Sequence, residues 1–229
     1  MHRIILLALL FLFPWRNAPV ANEYAPVAAV SDDRTLYNEL GLEGTVCFGA
    51  FEQALDGYAG IHWKRKQVLT LIDFTKPSTE ERMAVIDMSR RKVLFKTHVA
   101  HGRNSGGNYA TEFSNRSGSY QSSLGFYLTD HTYIGGNGYS LVLDGLEPGV
   151  NDNARARAVV MHGAAYADPA VAARQGRLGR SLGCPALPEA VNRQVIDAIK
   201  DGSVLFIYAD NADYLAQSSV LPRRTTVAL

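Results

Sequence analysis

From residue 67 onward the apolar positions fall into short runs: QVLTLIDF, RMAVIDM, KVLFKTHVA, LGFYLTD, YSLVLDG, RAVVMHG and SVLFIYA. Each is rich in Val, Ile, Leu, Phe or Tyr and is bounded by Gly, Ser, Asn or Pro clusters, the pattern of sheet strands. RMAVIDMSRRKVLFKTHVA reads as a hairpin turning near Ser89 and Arg90. Before residue 67 the period changes. SDDRTLYNEL opens with Ser31 as an N-cap and acids in the first turn, and Gly41 offers a stop. From Val46 to Ala59, Phe48, Phe51, Leu55 and Tyr58 recur at helical spacing. PEAVNRQVIDAIK carries Pro188 in its first turn and closes at Gly202, which predicts one C-terminal helix. The expected fold class is mainly β (α+β). Residues 1–30 read as a signal peptide and linker, 31–62 as a helical preface, 63–210 as the sheet domain and 211–229 as a polar tail.

The N-terminus, MHRIILLALLFLFPWRNAPVANEYA, sets an apolar run from Ile4 to Phe13 behind His2 and Arg3 and follows it with Pro14 and small residues. The run is too short to span a bilayer and has the layout of a secretory signal peptide. The protein is therefore expected to be exported, with an uncleaved anchor as the alternative. Export has no help from bulk charge: among 229 residues the hydrophobic share is 47%, the charged share 20% and the net charge +1. That balance is ordinary for a globular domain, and it excludes recognition of nucleic acid or an anionic bilayer through net charge. A partner has to be sought in a site. The segment HGRNSGGNYATEFSNRSGSYQSS is long for a connection and carries aromatic residues, so it is expected to be an ordered loop beside that site.

Two cysteines sharpen the search. Outside the cytoplasm Cys47 and Cys184 would by default form a disulfide, provided the fold brings them within a few ångströms. Cys47 lies on or beside the helical stretch after Val46, as a small apolar residue. Cys184 stands in GRLGRSLGCPALPEA, after Gly183, which permits close approach, and before Pro185, which keeps it out of the α region. A thiol on such an extended turn is a nucleophile only if a base or a positive charge favours the thiolate. Of six histidines, His2 belongs to the N-terminal segment and His62 to a polar linker, leaving His98, His101, His131 and His162. His162 ends the run AVVMH just before Gly163, which presents its ring at the mouth of a sheet. Because Pro185 lacks an N–H, an oxyanion would be held by the N–H groups of Cys184 and Gly183. Ser181 either bonds the imidazole or the substrate, or serves the turn itself. His98 and His101 have opposite parity on a strand and no third ligand, so no metal is expected; His101 is placed as a loop histidine flanking the cleft. The chain order, histidine before cysteine, argues against papain-like peptidases, and the caspase cysteine signature is missing.

With His162-Gly163 followed by Ser181-Leu182-Gly183-Cys184, the sequence resembles the murein L,D-transpeptidase catalytic domain family, in the branch whose cysteine precedes proline. The resemblance continues through LTLIDFTKPSTEERMAVIDM, VAHGRNSG, FSN, SSLGFY, GLEPGVNDNARARAVVMHGAAY, GRLGRSLGCPAL and GSVLFIYA. It implies a β-sandwich-like catalytic domain over 63–210, with Cys184 as nucleophile, His162 as base, and Ser181 and Gly183 as the other matched members of the motif. It implies peptidoglycan stem peptides as substrate; no cofactor is expected, and the protein is expected to be a monomer located in the periplasm or cell wall. Two positions depart from the better-known motif: Leu182 replaces a second histidine, and Ala186 an arginine. Arg180 and Arg177 are candidates for the missing charge and, with Gly163 and His101, for substrate contacts. Hydrolysis of the same bond by an L,D-carboxypeptidase or endopeptidase, or a catalytically weak wall-binding protein, are the alternatives.

Overall fold

The computed structural model describes residues 33–222. The expected signal peptide and linker, the Ser31 cap and the end of the tail lie outside the described residues.

The two N-terminal helices fall within the stretches that the cap and stop residues and the helical period mark out. Helix α1 covers Asp33–Glu39 and α2 covers Phe48–Gly60. Cys47 occupies the N-cap of α2, and its N–H donates to Asp73 Oδ2 at 2.8 Å, tying the helix start to the end of the first strand. Strands β1 Val68–Asp73, β2 Met83–Asp87, β3 Lys92–Thr97, β4 Gly125–Gly135, β5 Gly138–Gly145, β6 Val160–Gly163, β7 Ala186–Leu187 and β8 Val204–Tyr208 form one eight-stranded sheet. Their order is β3-β2-β1-β8-β4-β5-β6-β7. Pairs β1·β8 and β6·β7 are parallel and the others antiparallel. The β-rich class is thus as expected, with β2 and β3 forming the hairpin about Ser89 and Arg90.

Burial explains the texture of the runs. Strand β8 is buried at every position and β1 at all but its first. Strands covered on both faces carry unbroken apolar sequence rather than alternation. Phe126 of β4 and Phe206 of β8 stack with centroids 4.1 Å apart. Leu36 and Tyr37 of α1 and Phe51, Ala54 and Tyr58 of α2 join the same core, so the helical preface packs on the sheet. Burying a side chain such as Phe51 stabilises by about 1.5–3 kcal/mol. Helix α4, Glu189–Ile199, buries Asn192, Val195, Ile196 and Ile199, one stripe at helical spacing that packs against β5 and β6.

Two short helices were not foreseen. Helix α3, Pro169–Gln175, follows a 3-10 turn at Ala165–Ala167; Asp168 caps it by accepting the Ala170 N–H, and Gly176 ends it. Helix α5, Ala212–Gln217, lies within the stretch expected to be a polar tail. What orders it is the buried carboxylate of Glu147, which accepts from the Tyr214 hydroxyl at 3.0 Å and from Ser218 Oγ. Neither helix is long enough to show a period. Among the described residues no helix is long and apolar enough to cross a membrane.

Candidate active site

Cys184 lies just ahead of β7, and His162 lies on β6. In the parallel β6·β7 pair His162 is level with Ala186. Extending that register puts Cys184 level with Val160, whose N–H reaches Sγ at 3.4 Å. His162 is therefore one pleat further along, roughly 6.6 Å at the usual strand rise. The thiol also contacts the carbonyl oxygen of Ala158 at 3.7 Å. Among the described residues no hydrogen bond joins thiol and imidazole. Such contacts are often long before a substrate binds.

The His162 ring is oriented from behind. Its Nδ1 lies 2.9 Å from the carbonyl oxygen of Gly163, so Nδ1–H donates there and Nε2 keeps its lone pair. Gly163 has a second task, because a Cβ there would come within 3.0–3.1 Å of Asn192 on α4. Its lack of a side chain lets α4 pack close behind β6.

The turn that carries the thiol is stapled at both ends to residues 100–103. Ser181 N–H donates to His101 O at 2.9 Å, Arg103 N–H to Ser181 O at 2.8 Å, and Ala100 N–H to Ala186 O at 2.8 Å. Ser181 serves the turn rather than the imidazole: its hydroxyl donates to Cys184 O at 2.6 Å and accepts Gly183 N–H at 3.0 Å. That removes Gly183 from the expected pair of oxyanion donors. The Cys184 N–H has no acceptor among the described residues and remains available. Gly183 itself has φ +127, and a Cβ there would sit 2.9 Å from Gln121 O. Its carbonyl accepts from Ser122 Oγ at 3.3 Å, and Ser122 Oγ accepts the Gly102 N–H at 3.0 Å. The serine-rich loop is thus part of the turn's support.

Burial pushes the Cys184 thiol up; the Val160 N–H and the Arg157 guanidinium pull it down. Arg157 is the cation that the structure sets at the turn, and sequence reasoning missed it. Its Nη1 donates to Ser114 O at 2.7 Å and Ser123 Oγ at 3.3 Å, and its Nη2 to Gln121 O at 2.6 Å and Ser119 Oγ at 3.3 Å. The two arginines put forward for the role are engaged elsewhere. Arg180 donates to Arg103 O at 3.1 Å and Gly106 O at 2.8 Å, and Arg177 to Leu178 O at 2.8 Å. Ala186 is fully buried among Ala100, Ala164, Ala167, Ala172 and Leu178, so this packing leaves no room for an arginine at that position.

His101 was expected to flank the cleft, and the structure places it in the interior. It is 1% exposed, set edge-on to Phe74, with Nδ1 2.8 Å from Arg82 Nη2. Burial, with help from Arg82, lowers its pKa to about 4, so the ring is neutral and Nδ1 accepts. Arg82 is fully buried and also donates to Val99 O and Lys76 O. The pair fastens from behind the segment that staples the Cys184 turn. His98 Nε2 is 3.2 Å from Thr79 O, so His98 and His101 serve separate partners. Cys47 and Cys184 are both free thiols, which answers the disulfide reading; Cys47 is held at α2 beside Asp73.

A cleft of about 240 Å³ is lined by His131, Tyr133, Val142, Arg155, Ala158 and Val160, among others; neither Cys184 nor His162 lines it, and it reaches the thiol through Ala158 and Val160. Ala158 and Val160 are the thiol's own partners. Arg155 is paired with Asp130 and Asp144, each at 2.5 Å. A larger cavity, about 650 Å³, lies between α2 and α5 with the segment that follows it; none of its lining residues touches the thiol or His162.

The fold thus presents a cysteine on a braced turn beside the strand that carries a histidine. The sequence model of the L,D-transpeptidase catalytic domain matches residues 42–208, and the chain belongs to that family. No curated protein matches the chain at a significant level. Among solved structures it is similar to an L,D-transpeptidase from Mycobacterium smegmatis, at 15% identity over 62% of this chain and 59% of that one, TM-score 0.39. It is also similar to the helical cell shape determining protein Pgp2 from Campylobacter jejuni, at 12% identity over 79% and 56%, TM-score 0.44. A third, an L,D-transpeptidase from Xylanimonas cellulosilytica, gives 11% identity over 70% and 80%, TM-score 0.36. The match spans about three fifths of the length of the mycobacterial chain.

Proposed function

We propose that the protein is an exported, cysteine-dependent L,D-transpeptidase acting on peptidoglycan stem peptides. The observation that carries this reading is the Cys184 turn. Its thiol contacts Ala158 and Val160, which line a cleft, its own N–H is unengaged, and the neighbouring strand holds a histidine fixed with Nε2 as the free basic nitrogen. Export rests on the N-terminal segment.

Chemistry follows from these groups. Burial keeps the thiol protonated at rest, so a base must take the proton as attack proceeds. His162 Nε2 accepts it while Sγ bonds to the carbonyl carbon between the third stem residue and the following D-alanine. The carbonyl oxygen gains the negative charge and accepts a hydrogen bond from the Cys184 N–H. As the C–N bond breaks, His162 gives the proton to the departing amine, leaving a thioester on Cys184. An amine from a neighbouring stem then attacks the thioester, His162 taking its proton and returning it to the thiol. The new amide draws on the bond energy of the old one, which suits a compartment without ATP.

Purified protein incubated with disaccharide-tetrapeptide should release D-alanine and form cross-linked dimer, and Cys184→Ala should do neither. D-alanine release without dimer would place water in the acceptor's role. Release that survives Cys184→Ala would overturn the cysteine mechanism.

A further inference from the structure

We propose that Arg157 is the positioning residue of the nucleophile: it braces the serine-rich loop against the Cys184 turn and steadies the thiolate with its charge. The inference rests on the reading of Cys184 as nucleophile and adds a residue that the motif does not contain.

Three observations converge on it. First, place: Nη2 lies 3.4 Å from the point where a Cβ on Gly183 would stand, next to the cysteine. Second, uncompensated charge: the oxygens that Arg157 meets are three neutral carbonyl or hydroxyl groups of the loop and a fourth from Ser123, and among the described residues no carboxylate lies within ion-pair distance. A half-buried guanidinium of this kind costs solvation, which an anion nearby recovers. The only group in the turn able to become an anion is the thiol. Third, commitment: with both terminal nitrogens spent on four protein oxygens, the guanidinium has little left for a substrate carboxylate. It therefore acts through Cys184. Ser123 Oγ lies 2.8 Å from the hydroxyl of buried Tyr127, which fixes the arginine's position from the sheet side.

The ionisable groups around Arg157 and the turn are Tyr127 on β4, whose phenol burial pushes well up and keeps neutral, His162 on β6, Tyr166 in the 3-10 turn and Arg180 within the turn. Burial pushes the Tyr166 phenol up to about 12, so it stays neutral through the working range. Arg180 turns its guanidinium to Arg103 O and Gly106 O. Arg157 is thus the group whose removal should be felt at the thiol.

The test is the pH dependence of iodoacetamide alkylation, followed on the Cys184 peptide by mass spectrometry so that Cys47 does not contribute. In Arg157→Gln the midpoint should move up by about 1 pH unit, and kcat for D-alanine release should fall more than KM rises. Arg157→Lys, which keeps the charge, should hold the midpoint near that of the parent protein while kcat falls. Should Arg157→Gln not fold, Ser119→Ala combined with Ser123→Ala loosens the guanidinium without removing it and should raise the midpoint by a smaller amount. An unchanged midpoint in the folded variant, with activity reduced, would make Arg157 a structural residue only and overturn the proposal. Activity surviving in Cys184→Ala would instead overturn the nucleophile reading, so the two failures are distinct.

Discussion

Ser181 Oγ donates to the carbonyl oxygen of Cys184 at 2.6 Å, and the same hydroxyl accepts the N–H of Gly183 at 3.0 Å. One hydroxyl closes the Cys184 turn and decides which of its N–H groups, that of Cys184 and not that of Gly183, is left unengaged. Ser181→Ala leaves the Gly183 N–H buried without its acceptor, a loss of about 1–3 kcal/mol in holding the turn. The expected outcome is a fall in kcat/KM for D-alanine release of roughly tenfold or more, with Ser181→Thr retaining most of the activity. Steady-state kinetics on the three proteins check it.

Gly183 is fixed by backbone conformation. At φ +127 and with Gln121 O 2.9 Å from any added Cβ, alanine strains the turn and pushes the serine-rich loop away. Gly183→Ala should cost about 1–3 kcal/mol, which for a chain of this size lowers Tm by about 3–10 °C. Calorimetry measures this, and the same variant should lose D-alanine release.

Restoring the motif's arginine should harm the protein. Ala186 is enclosed by five small or apolar side chains, and Ala186→Arg would bury a guanidinium with no partner or split that cluster. Expected is a loss of several kcal/mol or failure to fold, read from urea unfolding, and no gain in activity.

His101 makes stability depend on pH. In the unfolded chain its ring titrates near 6.5, whereas in the folded protein burial and Arg82 hold it down to about 4. The unfolded state therefore binds the proton first. The contribution of the neutral ring is complete above about pH 6.5 and is lost as pH falls toward 4, in total on the order of 3 kcal/mol. His101→Gln, whose side-chain oxygen can still accept from Arg82, should flatten that part of the stability curve. An equal slope in both proteins, measured by urea midpoints between pH 7 and 4, would contradict this.

Much of the architecture was legible because central strands such as β1 and β8 read as unbroken apolar runs and α2 and α4 are long enough to repeat. Helices α3 and α5 were not, since one is set by an Asp cap and a left-handed glycine and the other by a buried carboxylate distant in sequence. Cys184 and His162 stood out through their local setting. Their meeting depends on parallel pairing with a strand of two residues, which no periodicity reports. Ser122, Ser123 and Arg157 were hidden for a related reason: in sequence they look like loop polarity and surface charge. Arg180 and Arg177 drew attention by closeness in the chain, but the turn's cation, Arg157, comes from the segment just ahead of the strand that brings His162.

The most direct test of the account is the mass of the intact protein after brief incubation with disaccharide-tetrapeptide. The predicted result is an adduct equal to the substrate less D-alanine, mapped to Cys184, labile to hydroxylamine and absent from Cys184→Ala. D-alanine released by Cys184→Ala, or an adduct mapped to any other residue, would contradict it.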